Sequence, residues 1–158
     1  MVTLTKPEIK KEFQRVFQFV VKHKDSNMNW TNKDIRKFLR WAWYYKRLFI
    51  IYDNRRIAAI GIMWRTDHPE NASGYLSFER TEFGDYLYVY QVLVHPNYKM
   101  RGLLFQLLYE AKKRYNGVKR AFWKDRKGRL RIIEVNRLMG DLSKWAIRTE
   151  IKSDLRLN

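Results

Sequence analysis

The chain has 158 residues and a mass of 19.4 kDa, with 46% hydrophobic and 16% aromatic residues, which is enough to bury one core and too much for a disordered polymer. Lys and Arg number 33 against 16 Asp and Glu, a formal charge of +17, so polyanions are attracted to it in a salt-dependent way. No cysteine is present, which excludes disulfides, thiolate nucleophiles, cysteine zinc sites and iron–sulfur clusters.

A metal site is hard to build from His23, His68 and His95, and none is expected. No apolar run approaches the roughly 18 residues of a membrane span. Met1 to Lys11 mixes Lys and Glu and lacks the apolar run of a signal peptide. These features predict a single domain over 1–158, soluble and cytoplasmic.

In chain order, Ile9, Phe13, Val16, Phe17, Val20 and Val21 form one helical stripe from Pro7 to about His23. Pro7 suits a first helical turn, with Thr5 or Lys6 before it. Thr31-Asn32-Lys33-Asp34 is a capping-box pattern opening a second helix, with Ile35, Phe38, Leu39, Ala42 and Tyr45 turned inward. The period then changes. Leu48–Tyr52 and Arg56–Arg65 read as a hairpin around Asp53-Asn54-Arg55, and Tyr75–Phe83 with Tyr86–Val94 as a second around Gly84-Asp85. Tyr86–Val94 is mostly apolar or aromatic, as in a strand buried on both faces, and Pro96 stops it.

A third helix is expected over Gly102–Tyr115, closed by Asn116-Gly117, with Leu103, Leu104, Leu107, Leu108 and Ala111 as its stripe. Val118–Lys124 and Arg129–Val135 pair around Asp125–Gly128. Leu142–Ile151 reads equally as a short helix or an edge strand. The order α-α-β-β-β-β-α-β-β predicts an α+β fold, a mostly antiparallel mixed sheet flanked by helices.

The stretch from Tyr90 to Leu108 carries chemistry. A buried strand runs into Pro96, a short basic turn with Lys99 and Arg101, then Gly102 and an apolar helix. A helix start leaves backbone N–H groups unpaired and carries partial positive charge, so a phosphate can settle there. An ordinary tight strand-to-helix turn would read the same way.

Val92-Leu93-Val94-His95-Pro96-Asn97-Tyr98-Lys99-Met100-Arg101-Gly102 resembles the acetyl-CoA segment of the GCN5-related N-acetyltransferase (GNAT) superfamily. There a valine-bearing strand and a Pro lead into a Gln/Arg-x-x-Gly-x-Gly/Ala loop. The resemblance implies acetyl-CoA as cofactor, its pantetheine along Val92, Leu93 and Val94, and its diphosphate over Lys99, Met100, Arg101, Gly102, Leu103 and Leu104. It further implies transfer of acetyl to an amine; the positive charge argues against small cationic acceptors such as polyamines and favours one carried on an acidic or phosphate-rich macromolecule, such as a nucleic acid or nucleoprotein. Lys99 replaces the Gln or Arg, and Leu104 stands at the usual Gly or Ala. The strand offers Tyr86, Tyr88, Tyr90 and Gln91 where the family often has a Glu, and no tyrosine follows Tyr115, so no catalytic acid or base is assigned.

Several other residues suit either a structural or a functional role. His95 is a turn residue or a base near the thioester. Glu79 and Glu82 balance local charge or reach a substrate cleft. Most of Trp41-Ala42-Trp43-Tyr44-Tyr45 falls at core spacing, while Trp64, Trp123 and Trp145 could stack bases. Between Lys99 and Arg131 lie twelve basic residues against Glu110 and Asp125, either a solvated face or an anion-binding surface. Hence a second expectation: a catalytically degraded relative that binds nucleic acid, or assembles with a nucleoprotein, through Trp123, Lys124, Arg126, Lys127, Arg129 and Arg131. Short basic relatives of this kind resemble bacteriophage-encoded proteins.

Overall fold

The computed structural model describes residues 5–25, 28–66, 84–125, 127–135 and 150–152. Three helices flank one sheet: α1 (Lys6–His23), α2 (Asn32–Tyr44), β1 (Leu48–Asp53), β2 (Arg56–Thr66), β3 (Tyr86–Val94), α3 (Met100–Arg114), β4 (Arg120–Lys124), β5 (Leu130–Glu134) and β6 (Glu150–Lys152). The sheet order is β5-β4-β3-β2-β1-β6, antiparallel throughout except for the parallel pair β3–β4. That pair needs a crossover, which α3 supplies. The expected α+β architecture, a mixed sheet with helices on both faces, is what forms.

Local chemistry fixes the helix starts. The hydroxyls of Thr5 and Thr31 accept from the N–H groups of Glu8 and Asp34, and the two carboxylates accept in return from the threonine N–H groups. Each reciprocal pair satisfies two otherwise orphaned donors. The hydrogen bonds from Thr5 and Thr31, backbone first for Glu8 and side chain first for Asp34, hold both carboxyls below their ordinary range.

Two cores lie on opposite faces. Ile9, Val16, Phe17 and Val20 of α1 and Ile35, Leu39 and Trp43 of α2 cover Ile50, Ile60, Ile62 and Leu93. Leu103, Leu107, Leu108 and Ala111 of α3 cover Phe49, Ile51, Ala59, Met63 and Val89. In α2 the inward residue is Trp43, 3% exposed, and not Tyr45, which caps the helix end and is 41% exposed. Phe19 joins the core beside the expected stripe of α1.

The strand expected at Tyr75–Phe83, with Glu79 and Glu82, lies outside the described residues, as do Trp145 and residues 142–149. The described end of that last stretch is β6, an edge strand pairing Ile50–Tyr52 of β1. Among the described residues no helix is long and apolar enough to cross a membrane.

Candidate functional site

β3 and β4 do not stay together. Tyr86–Tyr88 pair with Arg120–Phe122; past that point the parallel ladder stops while both strands continue. The cause lies on the other side of β3. Ile62 of β2 pairs with Gln91 but Met63 pairs with Val89, so Tyr90 is an extra residue, a bulge. A bulge bends and twists its strand, and here it does so where the two strands part.

The gap is a cleft of about 660 Å³. Its lining comes from both sides of the sheet. Val92, Val94, Met100, Leu104 and Trp123 belong to the α3 side, and Tyr90, His23, Lys24 and Asp25 to the α1 side.

Strand geometry says which backbone groups face the gap. The N–H of His95 donates to the carbonyl of Ala58 on β2 at 2.8 Å. Successive residues alternate, so Leu93, opposite Ile60, also turns its N–H and C=O toward β2. Val92 and Val94 turn theirs the other way, along the edge that no described strand pairs. Of the three expected pantetheine residues, two present backbone to the cleft; Leu93 contributes from the α1-side core.

At the mouth stands the start of α3. The helix begins at Met100, two residues before the expected Gly102, because the turn after Pro96 is closed earlier by Tyr98 N–H donating to the His95 carbonyl. Its N-cap, Lys99, makes no side-chain capping bond, and the first turn holds no acid. The first four N–H groups of a helix have no intrahelical acceptor, and here these belong to Lys99, Met100, Arg101 and Gly102. Gly102 occupies the third helical position, the place of the capping carboxylates Glu8 in α1 and Asp34 in α2. Leu103 is buried beneath the helix. Leu104 falls in the second turn, half-buried, with its side chain on the cleft wall.

His95 is a turn residue: its Nδ1 accepts the N–H of Asn97 at 3.2 Å. Sequence reading missed its neighbour. The rings of His95 and His23 lie 5.3 Å apart, and burial, His95 and Lys22 together push the His23 imidazole below its ordinary pKa. His23 is thus held neutral on the cleft wall. Nothing in sequence joins two histidines separated by the whole β1–β2 hairpin. Tyr88, the last paired residue before the gap, has its phenol pushed up by burial and stays protonated.

The basic hairpin is more self-contained than its sequence implies. Asp125 Oδ1 accepts the N–H groups of Lys127 and Arg129, and Oδ2 accepts from the Arg129 and Arg131 guanidinium Nε at 2.9 and 3.2 Å. Two of the arginines expected to meet nucleic acid are thereby tied to one carboxylate. Trp123 packs against the α3-side core and lines the cleft, so it is not an exposed stacking platform. Trp64 is buried, 5% exposed, and Trp41 stacks within the α2-side core. Among the described residues no group of three carboxylates or imidazoles could hold a metal.

No protein-family model and no curated protein matches the chain. Among solved structures it is similar to the loading GNATL domain of CurA from Lyngbya majuscula, with a TM-score of 0.50 and 15% identity over 72% of this chain and 59% of that one. The diaminobutyrate acetyltransferase EctA from Paenibacillus lautus, solved with its substrate and coenzyme A, has a TM-score of 0.45 and 18% identity, again over 72% and 59%. The chain thus spans about three-fifths of the length of both structures. The first likeness shows the fold: the chain has the GNAT fold that its strand–loop–helix motif implied.

Proposed function

We propose that the cleft binds acetyl-coenzyme A and that the protein transfers the acetyl group to an amine. The observation that carries this reading is the parting of β3 and β4 directly beside the uncapped start of α3. One feature offers a slot edged with free backbone groups, the other a bed of N–H donors for an anion. The donor set fits the group: a thioester arm with amide functions needs backbone partners, which Val92 and Val94 supply. A diphosphate needs several N–H groups without a competing carboxylate, which Lys99 to Gly102 supply.

The cofactor, when bound, supplies an acetyl thioester, whose carbonyl carbon is the electrophile. The chain's own part is positioning, polarisation and proton handling. The outward N–H groups of Val92 and Val94 would hold and polarise a thioester carbonyl bound in the slot. Val89, Leu104 and Trp123 keep the slot apolar. On the α1 side, the neutral imidazole of His23 is placed to take the proton that the amine loses as its nitrogen bonds to carbon and the carbon–sulfur bond breaks.

Calorimetric titration with acetyl-CoA, free CoA and inorganic diphosphate at moderate salt tests the reading. Micromolar binding of acetyl-CoA, well above that of diphosphate, is expected. Affinity no better than that of diphosphate would mean that only the net charge is being measured, and the reading would fall.

A further inference from the structure

Next to the cleft lies a second groove of about 470 Å³. α1 contributes Arg15, Lys22 and His23 to it, β2 contributes Arg56, and the turn after β3 contributes His95 and Asn97. His23 is the residue that lines both the groove and the cleft. No carboxylate lines the groove among the described residues.

The groove's donors are partly fixed in place. Arg15 is held by Glu12 at 3.1 Å and by the carbonyl of Arg55, with its guanidinium over the Tyr52 ring. Two partners leave several of its five N–H groups unspent. Arg56 lies beside the Tyr98 hydroxyl, which donates to Asp53. Lys22 is exposed. Because Nδ1 of His95 accepts from Asn97, its neutral ring carries hydrogen on Nε2, one more donor.

Resting on the acetyl-transfer reading, we propose that this groove holds a phosphate group of the acceptor while the acceptor's amine reaches past His23 into the cleft. The donor set favours phosphate over carboxylate. Glu12 offsets Arg15, and Asp53, opposite Arg56 across the hairpin, offsets a second of the three cations Arg15, Lys22 and Arg56, so the groove stays net positive; its guanidinium, ammonium and imidazole donors, drawn from three elements, suit the three oxygens of a phosphate monoester better than the two of a carboxylate. The groove is separate from the N–H groups of α3 assigned to the cofactor, so the two anions need not compete.

The test follows histidine ring resonances by NMR at constant ionic strength, using inorganic phosphate as probe. Saturable shifts of His23 and His95 are expected, with the amides of Lys127 and Gly128 on the equally basic hairpin as the non-specific control. Lys22→Gln and Arg56→Gln, both at exposed positions, should each weaken phosphate binding by about tenfold. Shifts that never saturate, that match those of the hairpin, or that ignore both substitutions overturn the site.

A second arm repeats the titration with saturating CoA, read at the Trp123 indole. Phosphate that binds alongside CoA supports the acceptor assignment. Phosphate displaced by CoA means that the groove serves the cofactor's own phosphates, and the assignment falls. If CoA leaves Trp123 unmoved while phosphate still saturates, the acetyl-transfer reading fails and takes the acceptor with it, leaving an anion site alone.

The last arm measures thiol release from acetyl-CoA with O-phosphoethanolamine, a minimal amine carrying a phosphate ester, against ethanolamine. An advantage of at least about tenfold for the phosphate ester, lost in Lys22→Gln, is expected. Equal rates overturn the proposal.

Discussion

Gly61 of β2 faces Leu107 of α3 so closely that any side chain there would push its neighbours aside. A Cβ on Gly61 would stand 3.1 and 3.2 Å from the Leu107 methyl carbons and 3.2 Å from Cε of Met63. Leu107 and Met63 are fully buried, so giving way would disturb the packing around them. This close approach seats α3 on the sheet, and hence sets where its N-terminus stands relative to the cleft. Gly61→Val should cost about 1–3 kcal/mol in denaturant unfolding, because added methyl groups overpack a filled core. It should also weaken acetyl-CoA binding, since α3 must lift. A variant as stable as the parent would show that the helix is not held by this contact.

Gly61 also marks how far the sequence could be read. A glycine inside an apolar strand announces a close approach, yet only the fold says that Leu107 makes it. The capping boxes were legible to the residue, because Thr31 and Asp34 act on each other within one turn. Long-range relations were not. The bulge at Tyr90 is set by register against β2, which composition does not encode. The choice of Trp43 over Tyr45 as the buried ring follows from where α2 ends and turns into β1. The cleft residues Val92, Val94 and Leu104 could be named from the motif, while their division between backbone edge and side-chain wall needed the strand pairing.

Gly102 in α3 and Asp34 in α2 hold the same helical position with opposite consequences. Asp34 accepts from the backbone N–H of its own N-cap, Thr31, at 3.1 Å. Gly102 has no side chain with which to do so. Gly102→Asp should let α3 cap itself and also removes a glycine from a helix, a change worth about 0.5–1 kcal/mol in favour of folding. The melting temperature is expected to stay level or rise while acetyl-CoA affinity drops at least about tenfold, as a carboxylate occupies the N–H groups. Undiminished affinity in the folded variant would remove the α3 start from the cofactor site.

Leu104 lies on the cleft wall, and its amide belongs by helical register to the carbonyl of Met100. Its bulk therefore sets the width of the slot and leaves the anion bed untouched. Leu104→Trp should fill the slot and lower CoA affinity at least about tenfold, with inorganic diphosphate binding unchanged. Parallel loss of both would mean that the side chain disturbs α3 as a whole.

His23 makes a pH prediction whose sign follows from its surroundings. Burial first, then His95 and Lys22, lowers its pKa from 6.5, so the unfolded chain binds this proton more readily than the folded one. Stability therefore falls as pH drops from 6.5 through the lowered value and levels off below it. The hydrogen-bonded carboxylates act in a separate window. Glu8, Asp34 and Asp125 are depressed from 4.5, 3.8 and 3.8, so their stabilisation is lost only below those values. In urea midpoints measured between about pH 7.5 and about pH 5, the difference between parent and His23→Gln thus isolates this imidazole. Over that range the parent should lose stability and His23→Gln should lose less. Equal slopes in parent and variant would mean that the His23 imidazole is as well solvated in the folded chain as in the unfolded one, and that burial against the cleft does not bias it toward its neutral form.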